Sequence, residues 1–185
     1  MHDSRLDPGF AIAYECEPTP GRHSISSYLY AGLYGVKNKF PAAERIIKQG
    51  NDKTAKDIRR HAAGSFYLQL LNCAGMCQFG AITSDFPLVE YVNAVTGWNL
   101  PPDAYFKIGE RILSLRKAFN VREGITPKDH VLSGRAVGAE PLTSGPLKGV
   151  RIDMPTLRKE FFNTVGWDPE SGGPTPEKMK ELGID

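Results

Sequence analysis

Along this chain the apolar positions keep changing period, and each change marks an element. From about Thr54 to Cys73, the residues Ile58, Ala62, Ser65, Phe66, Gln69, Leu70 and Cys73 fall at helical spacing. In the second half of that run, Phe66 to Leu71, apolar residues occupy nearly every side. Such a segment is expected to be buried all round. Asp52 or Thr54 can cap its start. Before it, Ala42 to Gln49 reads as a short helix ended by Gly50-Asn51. After it, Ser84 or Asp85 caps a helix from Phe86 to Thr96, with Gly97 where a helix stop belongs. Pro101-Pro102-Asp103 opens the longest helix, about Asp103 to Arg122, since proline suits a first turn. Tyr105, Ile108, Ile112, Leu115 and Phe119 form its apolar stripe, which leaves Arg111, Arg116, Lys117 and Arg122 as a solvated or ion-paired face. Asp153 caps a helix to about Val165, closed by Gly166. Thr175-Pro176 starts a last short helix ending at Gly183.

The pattern is weakest in the first forty residues and again at 123–150. Asp7-Pro8-Gly9 and Glu17-Pro18-Thr19-Pro20-Gly21 are turn chemistry. Between them, Phe10 to Tyr14 fits one helical turn or a short strand, and Ser24 to Gly35 has no clean period. Residues 123–150 read as a loop-rich wrap with Thr126-Pro127, Glu140-Pro141 and Ser144-Gly145-Pro146. The expected fold is mainly α: one multihelical domain over 1–185, with long irregular loops and few short strands. It divides into an irregular part at 1–50, a helical core at 51–122 and a C-terminal wrap with helices at 123–185.

Composition narrows the classes. The 185 residues are 41% hydrophobic and 24% charged, as in a soluble globular domain. A net charge of +2 gives no field that argues for nucleic acid or anionic lipid. No apolar run approaches the roughly 20 residues that span a bilayer. The start, Met-His-Asp-Ser-Arg-Leu-Asp-Pro, has no signal-peptide core. Three cysteines make no paired disulfide framework, so a reducing compartment, the cytoplasm, is expected.

The candidate chemistry gathers at Asn72-Cys73-Ala74-Gly75-Met76-Cys77, where the apolar helix ends. On a continuing helix Cys73 and Cys77 would share a face. Gly75 interrupts the pattern and lets another backbone or a bulky cofactor approach. Two readings stand side by side: a metal or redox centre, or two buried, unreactive thiols. Spacing alone favours the second, because a lone C-x-x-x-C lacks the further ligands of a structural zinc or iron–sulfur site. A long ordered stretch without regular structure is often functional, which singles out His23 after the proline-rich turn. A surface or hydrogen-bonded loop histidine is the plainer reading there.

Further residues carry a resemblance. Gly109-Glu110-Arg111-Ile112 is followed by Arg116-Lys117-Ala118-Phe119-Asn120-Val121-Arg122-Glu123-Gly124, then by Glu140-Pro141-Leu142, Gly145-Pro146 and Lys148-Gly149. Gly166-Trp167-Asp168, Pro174-Thr175-Pro176-Glu177-Lys178 and Glu181-Leu182-Gly183 complete the series. In order and spacing these segments resemble the C-terminal helical portion of the tungsten-containing aldehyde ferredoxin oxidoreductases. His2-Asp3-Ser4-Arg5 and Pro18-Thr19-Pro20-Gly21-Arg22-His23 resemble the same family.

The resemblance implies specific roles. Members hold tungsten between two pterin dithiolenes, with a [4Fe-4S] cluster nearby. Three cluster cysteines lie in a C-x-x-C-x-x-x-C motif that this chain lacks. The fourth closes a D-x-x-G-L-C motif, which here reads Asn72 to Cys77. Cys77 then matches the cluster ligand, and Met76 the residue whose backbone contacts a pterin. Asn72 stands where Asp usually bonds the pterin amino groups, with Gly75 in the same cofactor-binding turn. Asn can accept such a bond without charge, and charge-assisted bonds are roughly twice as strong. Cys73 has no counterpart and reads as a packing residue. His23 matches a histidine near the metal that acts in proton transfer, for which an imidazole, with an ordinary pKa of about 6.5, is suited. Two residues on, many members carry a basic pterin ligand, whereas this chain has Ile25.

The function implied is oxidation of an aldehyde to a carboxylic acid, with electrons passing through the cluster to ferredoxin. Molybdenum in place of tungsten is the alternative metal. The expected partners are the N-terminal part of the same enzyme or a partner subunit, ferredoxin and a small aldehyde, with a homo-oligomer left open and neither nucleic acid nor membrane. Two other functions compete. One is a non-catalytic helical interaction or assembly domain descended from the family. The other is an aromatic thioester reductase on the same scaffold.

Overall fold

The computed structural model describes residues 2–83 and 85–184. Its helices in chain order are α1 Pro8–Glu15, α2 Tyr28–Leu33, α3 Val36–Lys39, α4 Pro41–Lys48, α5 Lys53–Cys73, α6 Gln78–Thr83 and α7 Leu88–Thr96, followed by α8 Pro102–Arg122, α9 Gly134–Val137, α10 Met154–Val165 and α11 Pro176–Leu182. A 3₁₀ turn, Pro127–His130, lies between α8 and α9. The fold is mainly α, as expected. In place of short strands the described residues hold two isolated β-bridges, Leu142 with Lys148 and Trp167 with Pro174. Among the described residues no helix is long and apolar enough to cross a membrane.

The centre of the molecule is α5. Asp52 caps it by accepting from the Ala55 N–H at 2.8 Å, and the all-round apolar stretch is buried on every side. Phe66, Tyr67, Leu68, Gln69, Leu70 and Leu71 are each 6% exposed or less. Each such large apolar side chain contributes about 1.5–3 kcal/mol on burial. Helices α2, α4, α8 and α10 pack around it. The rings interlock at angles: Phe66 meets Phe106 at 5.3 Å, and Phe40 lies 5.5–5.6 Å from both Phe106 and Tyr67.

Three expectations change. Residues 1–50 are not irregular, since α1 to α4 fall within them. Helix α1 is buried all round, so it shows no period; Asp7 caps it through the Gly9 N–H at 2.8 Å and also accepts from Tyr28 and Leu29 at the start of α2. In α7, Asp85 does not cap. It pairs with Lys39 instead, and the helix begins after Pro87. Ser84 lies outside the described residues.

The third change is the rotation of α8. Its buried row is Tyr105, Gly109, Leu113 and Lys117, with Phe106 and Ser114 beside it, while Leu115 and Phe119 are about half exposed. Gly109 sets this rotation. A Cβ there would lie 2.2 Å from the Phe66 carbonyl oxygen, so only glycine lets the α8 backbone rest on α5. Lys117 follows two turns later and is carried inward, where its ammonium donates to the Cys16 carbonyl at 3.0 Å. It is not solvated, and burial pushes its pKa down.

Candidate functional site

Helix α5 ends where burial ends. Leu71 is fully buried, and Asn72 and Cys73, the next two residues, are exposed. Gly75 adopts φ 70°, and the Met76 N–H bonds back to the Leu71 carbonyl at 2.8 Å, with Gly75 N–H to Asn72 at 3.2 Å. This left-handed glycine stop satisfies the last carbonyls and turns Met76 back onto the core. Cys77 then sits between α5 and α6, exposed. So the two cysteines do not continue one helix, and they are not buried, which removes the reading of two inert core thiols. The buried thiol is Cys16, whose pKa burial pushes far up.

The two exposed cysteines differ in surroundings. Cys73 lines an apolar groove of about 350 Å³ with Leu70, Met76, Tyr91, Val95 and Trp98. Cys77 is not among its lining residues. A Cβ built on Gly75 meets nothing within 4 Å, so the turn has open space beside it. The Asn72 side chain makes no hydrogen bond within the described residues. Among these residues, no three His, Cys, Asp or Glu side chains come together as a metal site.

The loop that carries His23 is fixed at both ends and exposed at its tip. Lys117 holds the Cys16 carbonyl, and Asn120 donates to the Pro18 carbonyl at 2.7 Å. Glu17, fully buried, accepts from Ser65 and lies 3.1 Å from His61 Nε2. At the far end, Ser26 Oγ donates to the His61 carbonyl at 3.0 Å. Gly21 to His23 are exposed between these anchors. Ile25 is 1% exposed and packs in the core, so its side chain does not reach the surface. The Tyr34 hydroxyl lies 3.4 Å from both the Ile25 carbonyl and the Gln78 side-chain oxygen. One buried phenol thereby ties the end of the His23 loop to the residue after Cys77. Burial raises that phenol's pKa.

Sequence reasoning passed over His2. Its ring stacks on Phe10 at 4.7 Å and meets the His23 ring at 5.4 Å, with 66° between the planes. The only signal for it in the sequence was the His2-Asp3-Ser4-Arg5 string.

The glycine turn thus presents an exposed thiol and an unpartnered amide, and the loop after α1 presents His23 at its exposed tip. The family profile for aldehyde ferredoxin oxidoreductase, domains 2 and 3, matches residues 1–184. This chain belongs to the aldehyde ferredoxin oxidoreductase family. The tungsten-containing aldehyde ferredoxin oxidoreductase of Pyrococcus horikoshii is 34% identical over 120 residues, 63% of this chain and 19% of its own length. The enzyme of the same description from Thermococcus kodakarensis is 35% identical over 119 residues, covering 62% and 19%. A longer match, 29% identical over 172 residues, covers 83% of this chain and 26% of the aliphatic sulfonate oxidoreductase WOR-like subunit of Pyrococcus furiosus. The chain thus spans about a fifth of the length of the tungsten relatives it matches.

The exposed Cys77 thiol fits a cluster ligand supplied from outside the cluster's main binding motif, and the unpartnered Asn72 amide fits a hydrogen-bonding group for a pterin ring. Ile25 does not fit a pterin contact.

Proposed function

We propose that this chain is the C-terminal part of a tungstopterin oxidoreductase that oxidises an aldehyde to a carboxylic acid, with ferredoxin as electron acceptor. The observation that carries the reading is the exposed Cys77 just past the glycine turn that follows the buried stretch Phe66–Leu71 of α5. A thiol held at the surface by a rigid core element is positioned to ligate a cluster whose other ligands come from outside the chain. Cys77 is the fourth ligand of a [4Fe-4S] cluster whose other three ligands belong to the remainder of the enzyme, on the same polypeptide or a partner subunit. Asn72 and the Gly75–Met76 backbone bind one pterin. When bound, the tungsten centre supplies two-electron oxidation and the cluster passes electrons on singly. The protein's part is to bind and orient these groups, and to move protons at His23. The Tyr34 link between the His23 loop and the Cys77 segment supports placing both at one face.

The test is elemental analysis of the complete enzyme, with an assay of aldehyde-dependent ferredoxin reduction. The reading requires tungsten and iron, with molybdenum absent or minor. A complete protein that assembles without either metal sinks it. The longer match to the sulfonate oxidoreductase subunit favours a second reading, in which an aliphatic sulfonate is the substrate class. The same assay with sulfonates in place of aldehydes separates the two.

A further inference from the structure

We infer that His2 and Tyr30 form a relay that carries protons away from His23, which makes them positioning residues for the oxidation; this rests on reading His23 as the proton-transfer group. Oxidising an aldehyde with water to a carboxylic acid releases two electrons and two protons. The electrons leave toward ferredoxin, and the protons must reach bulk water. His23 lies at the tip of its loop, and its ring contact in the fold is the His2 ring at 5.4 Å. His2 Nε2 in turn lies 3.1 Å from the Tyr30 hydroxyl, within hydrogen-bond reach.

His2 is exposed, yet its ring and backbone are both held in place. The ring stacks on Phe10, which is 4% exposed, at 4.7 Å and 21°. Both backbone polar groups of His2 are fixed by one side chain: its N–H donates to the Tyr14 hydroxyl, and that hydroxyl donates to its carbonyl, each at 3.1 Å. Phe10, Ala13 and Tyr14 form a small apolar cluster apart from the main core, with Tyr30 packed against it. That cluster is the platform on which the histidine pair sits. Preorganisation of this kind is what a working group needs from its surroundings.

The usual orienting partner for a working imidazole is a carboxylate or a backbone carbonyl. The nearby carboxylates are occupied elsewhere. Asp3 pairs with Arg5 at 2.7 Å, and Asp7 accepts from the first N–H groups of α1 and α2. Arg22, beside His23, donates to Ser24. Tyr30 is therefore the group that sets the His2 tautomer among the described residues. The two imidazoles touch edge to face and share no hydrogen bond among the described residues, so in the relay a water bridges them. His2 gains one proton through that water on Nδ1 and releases one from Nε2 to the Tyr30 oxygen, and Tyr30 releases its own to water, so nothing changes beyond the protons.

Two measurements test this. In the 185-residue chain, nitrogen NMR of the imidazoles should find His2 in one tautomer. Tyr30→Phe should mix the tautomers, and His2→Phe, which keeps a ring on Phe10, should shift the His23 ring signals. In the complete enzyme, His2→Phe and Tyr30→Phe should each lower turnover about tenfold, below the 10²–10⁴-fold of a direct proton-transfer group. KM for the aldehyde and the metal contents should stay unchanged, and the solvent deuterium isotope effect should grow. If His23→Ala lowers turnover while both relay variants match the unmutated enzyme, the relay is overturned and the His23 reading stands. If His23→Ala leaves turnover unchanged, the His23 reading falls and the relay falls with it. A His2 ring that samples both tautomers in the unmutated chain also overturns the relay.

Discussion

The His61 imidazole and the Glu17 carboxylate meet at 3.1 Å in the interior, 44 residues apart in sequence and both without solvent exposure. His61 belongs to the central helix α5, and Glu17 opens the loop that carries His23. The same His61 accepts from Ser26 through its backbone, so one residue grips the loop at its entry and its exit. Truncating one member of a buried polar pair leaves the other unpaired and costs about 3–5 kcal/mol. Glu17→Ala should therefore lower the stability of the chain by about 3 kcal/mol, read from urea unfolding. Faster amide exchange should appear in residues 18–26 while the middle of α5 stays protected. A loss under about 1 kcal/mol, with exchange unchanged, would show that the pair does not anchor the loop.

The contact between α5 and α8 makes a sharper prediction, because it depends on one missing methyl group. A Cβ at Gly109 would overlap the Phe66 carbonyl, and both atoms belong to rigid helices. Overpacking of this kind costs about 1–3 kcal/mol, and the upper end applies where backbone meets backbone. Gly109→Ala should cost about 3 kcal/mol. Gly32, in α2, has nothing within 4 Å of its Cβ position, so Gly32→Ala should be neutral or stabilise by about 0.5 kcal/mol. Equal thermal shifts for the two variants would mean that the helix crossing is looser than the distances indicate.

That glycine also explains what the sequence did and did not disclose. Helices α10 and α11 could be read from their caps, Asp153 and Gly166 for one, Thr175 and Gly183 for the other, because capping is local chemistry. The burial of α5 could be read because its apolar residues close the whole circumference. Helix α1 could not, for the related reason that Phe10 to Tyr14 are all buried and no polar face marks a period. In α8 the apolar side chains pointed to one stripe, but the packing follows Gly109, whose importance lies in having no side chain. The buried ammonium of Lys117 follows from that rotation. The candidate turn at Cys77 and its exposure could be expected from the resemblance, which puts that thiol where another domain can reach it, but not from composition, since thiols are more often buried than exposed. The place of His2 beside His23 depends on how α1 and α2 fold together, which no local pattern encodes.

Buried phenols should limit stability in alkali. Burial, with the charge of Asp85 as a smaller cause, raises the Tyr67 pKa to about 12. Tyr34 and Tyr28 are pushed up by burial as well. An unfolded phenol ionises near pH 10. Above that pH the unfolded chain binds fewer protons than the folded one, so stability falls as pH rises from about 10 toward 12. The melting temperature should decline across that window, together with a rise of tyrosinate absorbance on unfolding. The Tyr67 hydroxyl finds no hydrogen-bond partner among the described residues. Tyr67→Phe should thus raise stability at neutral pH by about 1 kcal/mol and flatten the alkaline decline. A loss of stability on this substitution would show that the hydroxyl is bonded after all.

The last prediction separates Cys77 from Cys73. Both thiols are exposed, and Cys16 is 1% exposed with its thiol pushed far up in pKa. A thiol reagent acts on the thiolate and needs access. In the folded chain two thiols should react promptly and Cys16 only on unfolding; three prompt thiols would contradict the buried position of Cys16. Within the exposed pair, Cys73 faces the apolar groove between α5, α7 and α8, whereas Cys77 stands beyond the glycine turn, outside that groove. A cluster that reaches this chain from another part of the enzyme meets Cys77 without crossing Trp98 or Val95. In the complete enzyme, Cys77→Ala should remove iron and the visible absorbance of the cluster, since a four-thiolate cluster loses a ligand. Cys73→Ala should keep both and shift only the packing of the groove. Bleaching by Cys73→Ala, with Cys77→Ala retaining its iron, would place the ligand at the end of α5 and reverse the assignment.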